Sequence, residues 1–333
     1  MSQRIFLMLG LFVLVMLYLV VVFSINIKEV STSKLLFPSL KEKATELNRL
    51  DIITPIETTT IIRNSEEWIV SQRDSYPAQR EKLSNMVQQL TGLTLKEKKT
   101  SKEKNYPLLG VSDQDAIRID LHAGEQVFTA LFGKPSSGRE GRFVRVGSQV
   151  WLADEIQILE KTTDWLEPVI IDVDPEDVAR VEMDSLIFKR NDEGDFDVNN
   201  LPGDRELKYP SILEEPARAL TKLSLEDVKR HNPKHWVDAR RALFFTKTGA
   251  EVQVLAVRRD ESNWLHLQLI QNSETGVDTF LGDLGTDNGG VPEKNIYSAH
   301  VRLRDWDFKV SDYVFDDFEL GLDDILKDKP ESE

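Results

Sequence analysis

Few residues in this chain stand where chemistry would need them. His231 and His235 have the i, i+4 spacing that sets two metal ligands on one helix face. Pro233 lies between them and works against the helix that spacing requires, so the competing reading is a surface helix end or loop. The stretch NDEGDFDVNN offers Asp192, Asp195 and Asp197 as oxygen ligands. Calcium takes six or more oxygens, and the residue order is not that of an EF-hand loop, so a solvated turn is the better reading. The loop FGKPSSGREGRF gathers Lys134, Arg139 and Arg142 around glycines as a candidate anion-binding site, although a plain strand connection looks the same. Glu66–Glu67 and Asp316–Asp317 are adjacent acids, and neighbours on a strand point to opposite faces.

Other chemistries are missing from the sequence altogether. With no cysteine, thiol catalysis, iron–sulfur clusters and thiolate zinc sites are excluded. There is no G-x-S-x-G, no Walker A and no G-x-G-x-x-G after a strand. LGDLGTDNGGVP (Leu281–Pro292) is glycine-rich but has no capped helix or lysine after it, and reads as a long loop. The expectation is a protein without catalytic, cofactor or metal residues.

The elements that would carry these residues form a pattern that occurs twice. TTTIIRNSEEWIV reads as strand, turn at Asn64-Ser65, strand, and SLIFKRNDEGDFDV repeats it with a turn at Asn191 to Asp195. Each hairpin follows a further strand, Leu50–Ile56 in one copy and Val178–Met183 in the other. Tyr76-Pro77 then introduces a helix with Leu83, Met86, Val87 and Leu90 on one face, and Tyr209-Pro210 introduces a second with Leu213, Ala217 and Leu220, which Pro216 restarts. Two further hairpins turn at Ala123-Gly124 and Thr248-Gly249, and RFVRVGSQVWLA and WLHLQLI close the copies. This order predicts an α+β fold: a duplicated unit of antiparallel sheet with a helix on one face.

Ahead of this body, Ile5 to Ile27 carry no charged side chain. A helix of that length spans ~35 Å, enough for a ~30 Å hydrocarbon core. Its exit, Phe23-Ser24-Ile25-Asn26-Ile27, has large residues where a signal peptidase needs small ones, so the segment reads as a retained transmembrane anchor. Arg4 precedes it and Lys28, Lys34, Lys41 and Lys43 follow, which by the positive-inside rule favours a cytoplasmic body; a short tail before one long helix is the layout of an exporting signal anchor. Domains are expected at 1–4 (cytoplasmic tail), 5–27 (anchor), 28–45 (linker), 46–166 and 167–310 (repeats), and 311–333 (acidic tail). The acidic tail reads as an element docked on the second copy, or else as a segment for a basic partner. Residues 28–104 carry 14 Lys/Arg against 11 Asp/Glu, and residues 105–333 carry 27 against 46, a balance that argues against a nucleic-acid partner.

IIRNSEEWIV, YPAQREKLSNMVQQLTGL, YPLLGV, DWLEPVIIDVDPEDVARVEM and the tail LRDWDFKVSDYVFDDFELGLDDIL together resemble a bacterial membrane-anchored family, the domain of unknown function 4340 (DUF4340). The resemblance covers roughly residues 35–327. It implies a single-pass protein of the inner membrane with its body on the periplasmic side, often encoded beside components of a gliding-motility-type ABC export system. It supplies no catalytic residues. The function expected is therefore a non-enzymatic, membrane-anchored accessory or scaffold whose partners are membrane proteins such as ABC transporter subunits. Two alternatives stand beside it: a small-ligand or glycan module between the repeats, with Trp151, Trp165 or Trp264 as exposed platforms, and a carboxylate-dependent envelope hydrolase.

Overall fold

The computed structural model describes residues 34–184, 186–199, 201–271 and 303–329. In chain order its strands begin with β1 (Lys34–Leu35), β2 (Leu47–Ile53), β3 (Thr58–Asn64), β4 (Glu67–Val70) and β5 (Tyr76–Pro77). Helix α1 (Arg80–Gly92) follows, then β6 (Thr94–Lys98), β7 (Ile117–Ala123), β8 (Gln126–Pro135), β9 (Arg142–Val146) and β10 (Gln149–Ala153). The later part of the chain forms β11 (Val169–Ile171), β12 (Val178–Met183), β13 (Leu186–Arg190), β14 (Phe196–Val198) and β15 (Arg205–Leu207). After the single turn α2 (Glu215–Arg218) come β16 (Leu223–Ser224), β17 (Asp227–Arg230), β18 (Arg240–Thr246), β19 (Glu251–Arg259), β20 (Ser262–Gln271) and β21 (Trp306–Val310). The short helices α3 (Asp312–Asp316) and α4 (Leu322–Ile325) and strand β22 (Leu326–Asp328) end the described chain.

These elements sort into two compact units. The first gathers the residues up to 63 with 81–160, and the second gathers 64–80 with the residues from 161 onward. The expected boundary between repeats, 166/167, thus compares with 160/161, and the second unit also takes a piece from the first expected repeat.

In the first unit the strands lie in the order β1-β6-β10-β9-β8-β7-β2-β3, and the neighbours pair antiparallel. Alternation selects a buried face: Leu50 and Ile52 on β2 and Ile119 and Leu121 on β7 are buried, while Arg49 and Arg118 remain exposed. The β7–β8 hairpin turns through Gly124 at φ +59°, a left-handed value that glycine adopts without steric cost. Helix α1 buries Leu83, Met86 and Leu90, the i, i+3, i+7 stripe of the sequence.

The second unit has the order β14-β13-β12-β18-β19-β20-β21-β17. Taken in chain order, its strands β12, β13, β17, β18, β19, β20 and β21 occupy the positions that β2, β3, β6, β7, β8, β9 and β10 hold in the first unit. Arg73, beyond β4, grips Asp227 of β17 through two hydrogen bonds at 2.5 and 3.2 Å, and the Tyr76 ring meets Trp306 edge-on at 5.1 Å. The acidic tail is part of this unit: β22 pairs with β15, and Phe315, Phe318 and Ile325 are buried. The Phe318 and Phe244 rings make an edge contact at 6.1 Å.

Three expectations need correction. The fold class predicted a transmembrane helix ahead of a duplicated sheet-and-helix unit, but the described structure is dominated by antiparallel sheet. No helix among the described residues is long and apolar enough to cross a membrane, so the described structure gives no support to the expected single-pass, inner-membrane localisation with a periplasmic body. The stretch Ile5–Ile27, from which the anchor is read, lies outside the described residues. The helix expected after Tyr209-Pro210 is also reduced, to a 3-10 segment (Pro210–Glu214) and the one turn of α2. The physical reason is Pro216, which has no N–H to give to a continuing helix and is tolerated only in the first turn of a new one.

Candidate functional site

The strongest constellation of reactive side chains is in the second unit. Strand β17 delivers His231 just beyond its end, β20 contributes His266 and β21 contributes Asp307. Among the described residues this is the group of metal-competent side chains whose ligand atoms all lie within 4.8 Å of one another. His266 and Asp307 are buried and His231 is half-buried.

Hydrogen bonding saturates the carboxylate. Asp307 Oδ1 accepts from His231 Nδ1 at 2.6 Å and lies 3.4 Å from His266 Nδ1. Its Oδ2 accepts the Asn232 backbone N–H at 3.3 Å and the Trp236 Nε1–H at 3.2 Å. Burial alone pushes the Asp307 carboxyl up, but the hydrogen bonds from His266 and His231, the His231 charge and the Trp236 indole outweigh it and hold the group below the usual carboxylate range. His266 Nδ1 also bonds to the Trp306 carbonyl at 2.9 Å, which assigns the proton to that nitrogen, and His266 Nε2 accepts from Gln268 Nε2 at 3.0 Å.

Ring geometry tells against a metal centre here. The imidazoles of His231 and His266 are stacked, 3.6 Å between centroids and 20° between planes. An ion bound to both rings must lie in both ring planes, about 2 Å from a nitrogen of each. Nearly parallel rings, one above the other, do not meet at such a point. Trp236 lies beside the pair, its ring centroid 6.3 Å from that of His231 and 5.6 Å from that of His266. The arrangement holds three segments of chain together around one buried charge.

His235 stands apart from this cluster. Pro233–His235 is a 3-10 turn capped by Asn232, so the helix face that would have aligned His231 with His235 does not form, and His235 Nε2 meets Asn232 Nδ2 at 3.3 Å. Sequence spacing found His231 and missed its partners. The signals were a histidine inside the apolar strand WLHLQLI and an acid between two aromatics in DWDFKV, both of which mark a polar group in a buried position.

The other expected sites are placed as follows. Arg139 pairs with Glu97 at 2.9 Å and Arg142 with Glu155 at 3.1 Å, with Arg142 also donating to the Gly133 carbonyl. Lys134 is exposed at the end of β8. Two of the three cations thus have carboxylate partners already. Asp192 and Asp195 lie in the exposed β13–β14 turn, where Asn191 Oδ1 accepts the backbone N–H groups of Glu193 and Asp195, and Asp197 is exposed on β14. Glu66 and Glu67 are exposed, while the Asp317 carboxyl is pushed up to about 6 by burial and by the neighbouring charges of Glu215 and Asp316. Trp165 and Trp264 are buried and Trp151 is half-buried.

A second polar cluster was not anticipated. On the first unit's sheet Asp51 of β2 stands opposite Asp120 of β7. Outside them, in the same row, Thr60 donates to Asp51 at 2.7 Å and Thr129 to Asp120 at 2.6 Å. Arg49 at 2.7 Å and His122 at 3.0 Å complete the Asp51 shell, and Arg118 reaches both oxygens of Asp120. Burial pushes the Asp51 carboxyl up, while Arg49, Thr60 and His122 more than offset it and hold it low. A general acid needs the opposite shift, so Asp51 has the character of a charge partner.

Comparison with curated proteins and with solved structures returned no match. The profile described as "Domain of unknown function (DUF4340)" matches residues 68–239, more than half of the 333 residues, and the chain belongs to that family.

Proposed function

We propose that this protein is a non-enzymatic accessory of a multiprotein assembly, with components of an ABC-type transport system as its partners. The observation that carries this reading is the saturation of Asp307: the carboxylate of the strongest reactive constellation spends both of its oxygens on joining β17, β20 and β21. The Asp51–Asp120 row is committed to cations and hydroxyls in the same way. Chemistry used internally leaves binding through surfaces as the role that the folded units serve. The transport-system partner comes from the family resemblance and is the first to test.

The test is crosslinking in cells that carry the chain with a C-terminal affinity tag, followed by purification and mass analysis. A defined adduct with transport components at constant stoichiometry is expected. Recovery of the monomer alone, at crosslinker doses that capture a known complex in the same cells, overturns the reading.

A further inference from the structure

We infer that a groove on the first unit, between α1 and the chain leaving β10, binds an extended, uncharged peptide segment of a partner; this rests on the assembly role proposed above. The groove holds about 620 Å³ and has an apolar floor of Met86, Leu93 and Leu159. Along its helical wall Asn85, Gln88, Gln89 and Gly92 recur at i, i+3, i+4 and i+7, which places them on one face of α1. A Cβ at Gly92 would meet nothing within 4 Å, so the wall is open there.

Charge and shape select the ligand class. The carboxylates at the rim are occupied: Asp154 holds Lys96 at 2.8 Å and also bonds Thr94, and Glu155 holds Arg142. Besides Lys82, which already has an interaction partner of its own, what faces the groove is a row of carboxamides, each offering a donor and an acceptor, as a peptide backbone does. One of them already reads such a backbone: Gln89 Oε1 accepts the N–H of Gln157, from the irregular segment that forms the opposite wall. Asn85, one turn back from Gln89, and its neighbour Gln88 line the same groove with the same group. Among the described residues no aromatic ring lines the groove, and a saccharide ring is usually held on one, so the geometry favours peptide over sugar.

Two arms separate this inference from the assembly reading. In the first, a pool of N-acetylated, C-amidated octapeptides of Ala, Val, Ser, Thr and Asn is titrated into the full chain while side-chain carboxamide NMR signals are followed. Shifts at Asn85, Gln88, Gln89 and Gln157, weakened at least tenfold by Gly92→Trp, are expected. No shift at any peptide concentration up to millimolar overturns the inference, as does a response to a neutral oligosaccharide in place of the peptides. In the second arm the crosslinked assembly is compared between wild type and Gly92→Trp. At least a tenfold loss of adduct is expected; undiminished adduct removes the groove and leaves the assembly role standing, whereas peptide shifts without any adduct do the reverse. Should Gly92→Trp lower the melting temperature, the Asn85→Ala/Gln88→Ala double variant, which leaves the helix backbone intact, replaces it in both arms with the same criteria.

Discussion

The two units share a strand order and bury carboxylates in different ways. In the first, Asp51 and Asp120 face each other across β2 and β7, and their main cations, Arg49 and Arg118, have side chains 47% and 50% exposed. In the second, Asp307 is 1% exposed and its partners are a buried histidine, a half-buried one, an indole and a backbone amide. Water can replace a lost partner in the first cluster, because the guanidinium groups already reach solvent. In the second it reaches the edge of His231, but not the Asp307 carboxylate unless the unit opens. One architecture therefore supports a rim-exposed ion pair and a sealed polar core at different strand positions, and the cost of breaking each follows from access to water.

The largest effect expected from this contrast is at Asp307. Asp307→Ala leaves His231, Trp236 and the Asn232 N–H facing a void, and should destabilise the second unit by about 3–5 kcal/mol, the range for breaking a buried charge network. Asp51→Ala should cost the first unit only about 1–2 kcal/mol, since Arg49 rehydrates and the repulsion from Asp120 is relieved. Urea unfolding with tryptophan fluorescence reads the two separately: Trp151 is the indole of the first unit, while Trp68, Trp165, Trp236, Trp264 and Trp306 belong to the second. Equal costs at both sites would end the comparison. Asp307→Asn should also flatten the acid limb. The Asp307 carboxyl is held low in the folded state, so its contribution is present above the unfolded value near 4 and lost as pH falls through the folded one.

The sheets were legible in the sequence and the polar cores were not, for a local reason. Turns at Ala123-Gly124, Thr248-Gly249 and Asn191 to Asp195 are short-range signals, and Gly124, Gly249 and Gly194 all take the positive φ that turn chemistry anticipates. Helix α1 was legible for the same reason, since its stripe of Leu83, Met86 and Leu90 lies within one segment. The His231–His266–Asp307 cluster joins two strand residues and one just beyond the end of a third strand, separated by dozens of positions, and only strand order brings them together. His235, four residues from His231, was the candidate that local spacing could see, and Pro233 turned the chain away from it. The acids opposite each other at 51 and 120 likewise depend on a register between β2 and β7 that no local pattern states.

A second difference concerns what closes each unit. The first has the thirteen-residue helix α1, whereas the second has the one turn of α2 and instead draws on the tail, where α3 packs against β20 and Phe315 is fully buried. Phe315→Ala should therefore cost the second unit about 3 kcal/mol through the cavity that the buried ring leaves. Tyr313→Ala, on the exposed side of the same turn, should cost about 0.5 kcal/mol or less. If both variants melt like wild type, the tail is an appendage and the second unit closes without it.

The smallest effect has the most distinctive pH signature, and it arises in the same tail. Asp317 is pushed up to about 6 by burial and by Glu215 and Asp316, and the nearby Tyr209 hydroxyl donates to Glu215 at 2.5 Å. An acid whose folded value lies above its unfolded one binds more protons when folded, so it opposes folding once ionised. Stability from this group should fall as pH rises from about 4 to 6 and stay lower above that. Partial solvent access screens the charge, which leaves about 1 kcal/mol at stake at neutral pH. Asp317→Asn should thus raise the stability of the second unit at pH 7.5 and leave it unchanged at pH 4, where the native carboxyl is already protonated. The first unit, followed through Trp151, should respond at neither pH. A stabilisation of equal size at both pH values would mean that the amide improves packing or hydrogen bonding, and that the tail holds no strained charge.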